Sequence, residues 1–104
     1  MQIEWSNSAL NDLEDIHHYI HKDSPFYANQ FIEKVFDRVD RLAEFPKSGR
    51  KIPEYDHPDW REVMVGDYRI MYFLDNKSLL ILAVMHGSRD LNNPHNQPWS
   101  DDRE

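Results

Sequence analysis

Hydrophobic positions along the chain follow two periods in turn, and the change between them divides a helical half from a strand half. After Ser6, which stands where an N-cap belongs, Leu10, Leu13, Ile16 and Ile20 recur at spacings of three and four. That spacing predicts one apolar stripe on a first helix. Asp12, Glu14 and Asp15 lie toward its start and His17, His18, His21 and Lys22 toward its end, which suits the helix dipole. Ser24-Pro25 opens a second helix, because proline is favoured at the first helical position and pushes the preceding residue into an extended cap. Ala28, Phe31, Ile32, Val35, Phe36, Val39, Leu42 and Ala43 trace one face of that second helix, and Pro46 stops it. Two helices joined by so short a loop form an antiparallel hairpin.

The period then changes. Residues 46–59 carry three prolines and one glycine among charged residues and read as an ordered surface loop. Residues 2–5 read as a short strand, and Arg61–Val65 and Arg69–Leu74 flank Gly66-Asp67, a two-residue hairpin turn. Asp75-Asn76-Lys77 makes a second turn before the unbroken apolar run Leu79–Met85, which suits a strand buried on both faces. Residues 1–91 are therefore expected to form one α+β domain of order β-α-α-β-β-β, with the helical hairpin packed on a small, mostly antiparallel sheet. Residues 92–104 are expected to be an extended or mobile tail in which only Trp99 could dock.

Composition narrows the function classes. At 104 residues the chain holds a single core. No apolar run approaches a membrane span, the start Met1–Trp5 lacks the features of an export signal, and cysteine is absent. A cytoplasmic protein with no membrane partner is the expectation. The net charge of −7 is unevenly distributed: residues 1–45 hold nine acids against four bases, whereas residues 46–90 hold seven of each sign. No basic face for gripping phosphates is advertised. His17 and His21 stand four apart, but no HExxH pattern or cysteine accompanies them, so neither a metal nor another cofactor is expected.

Four stretches carry a resemblance. Trp5-Ser6 with Ala9-Leu10 and Asp12-Leu13, then Phe45–Arg50, then Arg61-Glu62-Val63 through Gly66–Tyr72, and finally His86-Gly87-Ser88-Arg89-Asp90 resemble, in order, the motifs of the RelE/ParE toxin superfamily. The resemblance implies a toxin of a type II toxin–antitoxin pair, silenced by a cognate antitoxin in a hetero-oligomer. It implies one of two activities: ParE-like members bind DNA gyrase and trap its cleaved complex, and RelE-like members cut mRNA on the ribosome. The long second helix and the absence of a lysine surplus in the strand region resemble ParE more closely. On that reading the protein is a gyrase-binding poison rather than an enzyme.

The resemblance also nominates residues. Arg61, Arg69, Tyr72, His86 and Arg89 are the candidate target-binding face. If the protein is RelE-like, Arg61, Arg69, Tyr72 and His86 are the candidate catalytic groups, since a metal-independent ribonuclease needs a base, cations and an acid on one phosphate; Glu62 and Arg89 lie in the same region. Strand alternation limits this set, because Arg69 and Tyr72 are an odd number of residues apart and point to opposite faces unless a bulge intervenes. Arg69 can equally pair with Glu62 or Asp67 across the hairpin, and His86 can be a hydrogen-bonded structural residue. Leu13, Ile16, Ile20, Phe31 and Val35 on the hairpin are the candidate antitoxin-binding residues.

Overall fold

The computed structural model describes residues 1–99. Strand β1 (Gln2–Trp5) leads into α1 (Asn7–His21) and α2 (Pro25–Glu44), followed by β2 (Arg50–Lys51), β3 (Trp60–Val65), β4 (Tyr68–Leu74) and β5 (Ser78–His86). A 3₁₀ turn covers Pro94–Asn96. The strands make one sheet in the order β1-β5-β4-β3-β2, with β1 parallel to β5 and every other pair antiparallel. The α+β architecture and helical hairpin match the expectation, with one addition. Residues 46–59 are not loop throughout, because Arg50 and Lys51 pair with Glu62 and Arg61 as a two-residue edge strand. Two residues are too few to leave a periodic signal.

The helix starts are built as the capping residues indicate. Ser6 Oγ accepts from the Ala9 amide at 3.0 Å, and Ser24 Oγ accepts from the Tyr27 amide at 3.2 Å with Pro25 in the first turn. The β3–β4 turn has Gly66 at φ +56°, the only positive φ among the described residues. With Asp67 not in the positive region, glycine at the first central position suits a two-residue type II′ turn.

The helices cover one face of the sheet. Ala9 and Leu13 from α1, and Phe31, Val35, Val39 and Leu42 from α2, pack on Val63, Val65, Ile70, Tyr72, Leu74, Leu79, Ile81 and Val84. Leu10 does not join them: it is 44% exposed whereas Leu13 is 5% exposed. The buried stripe of α1 runs through Ala9, Leu13, Ile16 and Ile20, because the small Ala9 occupies the position against the sheet that the larger Leu10 suggests by hydropathy alone.

The second face is covered too. Ile52, Met71, Ala83, Met85 and Leu91 form a smaller core flanked by Tyr55, Trp60 and Trp99. One strand serves both cores through a bulge. Met71 pairs with Ala83 but Tyr72 pairs with Ile81, so Leu82 is the extra residue. Leu79 and Ile81 face the helices before the bulge, and Val84 does so after it, while Ala83 and Met85 turn to the other side. Residues 92–99 are likewise not a free tail, since Trp99 packs on the second core. Residues 100–104 of the expected tail lie outside the described residues.

Leu13→Ala should lower unfolding free energy by about 2–5 kcal/mol, the range for a buried leucine truncation. Leu10→Ala should stay within about 1 kcal/mol, as half-exposed positions do. Urea titration of the two variants checks the assignment of the stripe, and equal losses would contradict it.

Candidate functional site

The residues nominated from the sequence fall in three places. The first is the second face of the sheet, where Glu62 on β3 and Arg69 on β4 share a buried ion-pair chain. Glu62 Oε2 accepts from Arg50 Nε and NH2, both at 2.7 Å. Its Oε1 accepts from Arg69 Nε at 2.7 Å and NH2 at 2.6 Å. Arg69 then spans to Glu54 in the loop after β2, with NH1 donating at 2.9 Å and NH2 at 2.7 Å. The Glu62 side chain is fully buried and that of Arg69 is 6% exposed. Every nitrogen of this guanidinium is engaged, so its partner is Glu62 rather than Asp67, with Glu54 added. Nothing in the sequence pointed to Glu54.

The electrostatics follow from this geometry. Burial works against the charged form of Arg69, but the hydrogen bonds to Glu54 and Glu62 outweigh it and raise the pKa. The Arg69 hydrogen bond is likewise the main cause that holds Glu54 below the ordinary glutamate range. The Arg50 end differs, because its side chain is 63% exposed and screened by solvent.

The second place is under the loop before β2. Tyr72 faces the helices and is 0% exposed. Its hydroxyl donates to the Pro46 carbonyl at 2.7 Å and accepts from the Gly49 amide at 3.1 Å. Burial raises its pKa, against lowering contributions from the Gly49 hydrogen bond and the charges of Arg61 and Arg38. Gly49 is required here: a Cβ would collide with the Tyr72 hydroxyl and lie 2.7 Å from the Glu62 carbonyl oxygen. Arg61 lies beside them and donates from NH1 to the Gly49 carbonyl at 2.9 Å. Arg61 and Tyr72 thus pin the Phe45–Arg50 segment to the sheet. The bulge does not bring Tyr72 round to Arg69, because it lies in β5 and leaves the alternation of β4 intact.

The third place is the end of β5. His86 stacks edge-on against Tyr68 at 5.2 Å, and its Nδ1 accepts from the Ser88 amide at 3.1 Å with Ser88 Oγ 2.7 Å away. An amide can only donate, so the neutral ring carries its proton on Nε2 and presents a donor outward. His86, Ser88 and Arg89 are exposed. With Tyr68, Met85, Asp12, Asp15 and Ile16 they line a cleft of about 420 Å³. Asp12 also accepts from the Val84 amide at 3.0 Å. A larger and mostly apolar cavity, about 760 Å³, lies between Met1, Phe45, Pro46, Phe73 and Leu74 and contains none of the nominated residues.

The five-residue target-binding face is therefore corrected. Arg69 and Tyr72 are interior, Arg61 is half-buried under a loop, and His86 and Arg89 alone share an open surface. The nominated antitoxin-binding set is corrected on the same ground. Leu13, Phe31 and Val35 are buried between hairpin and sheet, and Ile16 and Ile20 pack against them. The exposed apolar groups of the hairpin are instead Leu10, Tyr19, Phe26, Tyr27 and Phe36. The histidine pair has a local role, with His17 Nε2 3.0 Å from Asn29 Oδ1. Among the described residues no group of three His, Asp or Glu side chains could hold a metal.

A helical hairpin on a mixed sheet, with a pinned loop before the central hairpin and a His-Gly-Ser-Arg turn after the last strand, is the architecture expected of the RelE/ParE class. The ParE toxin of the type II toxin–antitoxin system parDE matches residues 3–91. The chain belongs to that family. It is 37% identical to a putative toxin, Y4kP, of Sinorhizobium fredii over 89 residues, covering 82% of this chain and 86% of the relative. It is 33% identical to toxin RelE2 of Caulobacter vibrioides, covering 85% and 97%. Among solved structures, a chain of the chromosomal ParDE toxin–antitoxin system of P. aeruginosa superposes with a TM-score of 0.68 at 21% identity, covering 83% of this chain and 95% of the other. A chain of the RelBE2 toxin–antitoxin complex of Mycobacterium tuberculosis superposes with a TM-score of 0.53 at 22% identity, covering 82% and 95%. At these identities the two superpositions establish the fold.

Removing the buried charge should show how much the ion-pair chain matters. Glu62→Gln leaves the Arg69 guanidinium with one carboxylate and should cost about 2–4 kcal/mol, somewhat below the full loss of a buried pair. Arg50→Ala, at the solvated end, should cost about 1 kcal/mol or less. Denaturant midpoints compare the two, and equal costs would contradict the assignment. The depressed pKa of Glu54 gives a sign for pH. Its contribution is complete above the ordinary value of 4.5 and is lost as pH falls below it. Stability of the wild type should therefore fall more steeply than that of Glu54→Gln between pH 5 and 3, read from urea midpoints.

Proposed function

We propose that this family member is a cytoplasmic toxin that arrests growth by binding DNA gyrase and trapping its cleaved complex, and that a cognate antitoxin neutralises it in a hetero-oligomer. The observation that carries the choice of target is the engagement of Arg69. A metal-free ribonuclease needs cationic and acid–base groups converging on one phosphate. Here the sheet arginine is neutralised by two carboxylates, and Tyr72 spends its hydroxyl on Pro46 and Gly49. His86 and Arg89 lie apart from both, at the end of β5, beside Asp12 and Asp15. That ledge suits contact with a protein surface better than phosphoryl chemistry. The partner reading is supported by the two structural neighbours, both of which come from toxin–antitoxin systems.

Purified toxin incubated with gyrase and supercoiled plasmid should accumulate double-strand breaks. Arg89→Ala should raise the toxin concentration needed by roughly 30-fold, as loss of an arginine anchor worth about 2 kcal/mol implies. Unchanged DNA together with mRNA cut in a translating extract would overturn the gyrase reading in favour of ribosome-dependent cleavage. Growth that continues on expression without an antitoxin would overturn both.

A further inference from the structure

The second face of the sheet is closed by two segments far apart in sequence, the loop 52–59 and the stretch from Leu91 to Trp99. Residues 92–99 lie beyond the stretch matched by the family. They nevertheless dock by directed contacts. Asn93 Oδ1 accepts from the His95 amide at 3.1 Å and caps the 3₁₀ turn. Asn96 Nδ2 donates to the Asp90 carbonyl at 2.8 Å, and Gln97 Nε2 donates to the Leu91 carbonyl at 2.8 Å. These tethers deliver the indole of Trp99 onto Tyr55, with ring centroids 4.4 Å apart and planes 8° from parallel. Trp60 meets the same indole edge-on at 5.8 Å and Tyr55 at 5.7 Å.

Tyr55 is the residue after Glu54, and Glu54 occupies the NH1 and NH2 edge of Arg69. The Tyr55 amide also closes a turn onto the Ile52 carbonyl at 3.0 Å, so Glu54 and Tyr55 sit in one short rigid bend. Whatever holds the Tyr55 ring therefore holds the second carboxylate on the guanidinium. We propose that residues 92–99 form a strap that keeps Arg69 shut away: Trp99 clamps Tyr55, Tyr55 holds the bend, and the bend keeps Glu54 over the outer edge of Arg69. Lifting the strap loosens the bend and uncovers that edge, while Glu62 continues to hold the Nε side. A guanidinium edge with two parallel N–H groups is the form in which arginine recognises an oxyanion. The strap is joined to the domain by local side-chain contacts rather than by the main core, which places its opening at the low end of the local stabilities in the molecule.

A vicinal dicarbonyl such as phenylglyoxal, which reacts with accessible guanidinium groups, reads the opening directly in the purified full chain. Labelling of Arg69, followed by peptide mass spectrometry, should be about 10-fold faster in Trp99→Ala than in the wild type, the upper end of what one aromatic pair contributes to a local equilibrium. Arg50, already exposed, should label at the same rate in both. Amide exchange should rise over residues 52–59 and not in α2, and Trp99→Tyr should restore both readings. Equal Arg69 labelling in wild type and Trp99→Ala, or exchange rising alike across α2, would overturn the strap. If Trp99→Ala does not fold, the tether variant Asn96→Ala/Gln97→Ala serves instead. A rise of about 3-fold in Arg69 labelling is then expected, for the loss of two partly exposed hydrogen bonds, and no rise overturns the proposal. The assay contains neither gyrase nor ribosome, so its failure is independent of the target reading.

Discussion

The structure depends on a carboxylate that has no access to water. Glu62 sits in the middle of β3 with its side chain fully buried, and an isolated charge there would cost several kcal/mol. It is tolerated because each oxygen faces its own guanidinium, Arg50 from β2 on one side and Arg69 from β4 on the other. The two-residue strand β2 places one of these partners. Pairing its backbone to β3 sets Arg50 opposite Glu62, at the solvated end of the ion-pair chain, while Arg69 supplies the buried end. The same requirement reaches the next loop, where Glu54 balances the charge that Arg69 has left over.

A second constraint is that one strand must serve two cores. A regular β5 would send Leu79, Ile81, Ala83 and Met85 to a single face. The bulge at Leu82 breaks that parity, so the first half of the strand feeds the helix-facing core and Ala83 and Met85 feed the other. The edge of β5 beyond the last pair with β1, Trp5 with Ile81, is met by α1 instead of by a strand. Ser6 donates to the Leu82 carbonyl at 3.3 Å and Asp12 accepts from the Val84 amide. The first helix is thereby tied to the sheet by polar groups as well as by Leu13, and the strand edge is closed to pairing with another chain over that stretch.

What the sequence disclosed follows from which interactions are local. Caps at Ser6 and Ser24, the glycine turn at Gly66 and the stripe on α2 are written within a few residues of where they act, and each was legible. Leu10 was misplaced because hydropathy outweighed the fit of Ala9, a choice that only the facing sheet decides. The ion-pair chain was half legible: Glu62 and Arg69 are diagonal neighbours on one face of the β3–β4 hairpin, but Glu54 is 15 residues from Arg69 in a proline-rich loop and carries no period. Trp99 was visible as a large apolar ring in a polar tail, and its partner Tyr55 was not, since nothing short of the folded chain brings positions 44 residues apart into a stack. The nominated face is dispersed for a related reason. Alternation already set Arg69 and Tyr72 on opposite faces, but it could not show that Tyr72, Gly49 and Arg61 hold a loop while Arg69 and Glu62 hold a sheet.

That dispersal bears on how one fold serves different targets. The positions that resemble the family's motifs are mostly spent on assembling the domain, so a motif residue is free to act on a target only where its own hydrogen bonds are not already made. For Tyr72 both roles of the hydroxyl are filled, and for Arg69 the guanidinium is filled by Glu54 and Glu62 together. Both are held by loops, but Tyr72 is held by loop backbone, whereas Arg69 is held by a loop side chain, Glu54. An arginine that is half committed to the sheet and half to a bend under an aromatic ring would gain a second environment if the proposed strap lifted. The chemistry of the sheet face in this protein is therefore set less by which residues stand there than by whether the bend at Glu54 and Tyr55 is held.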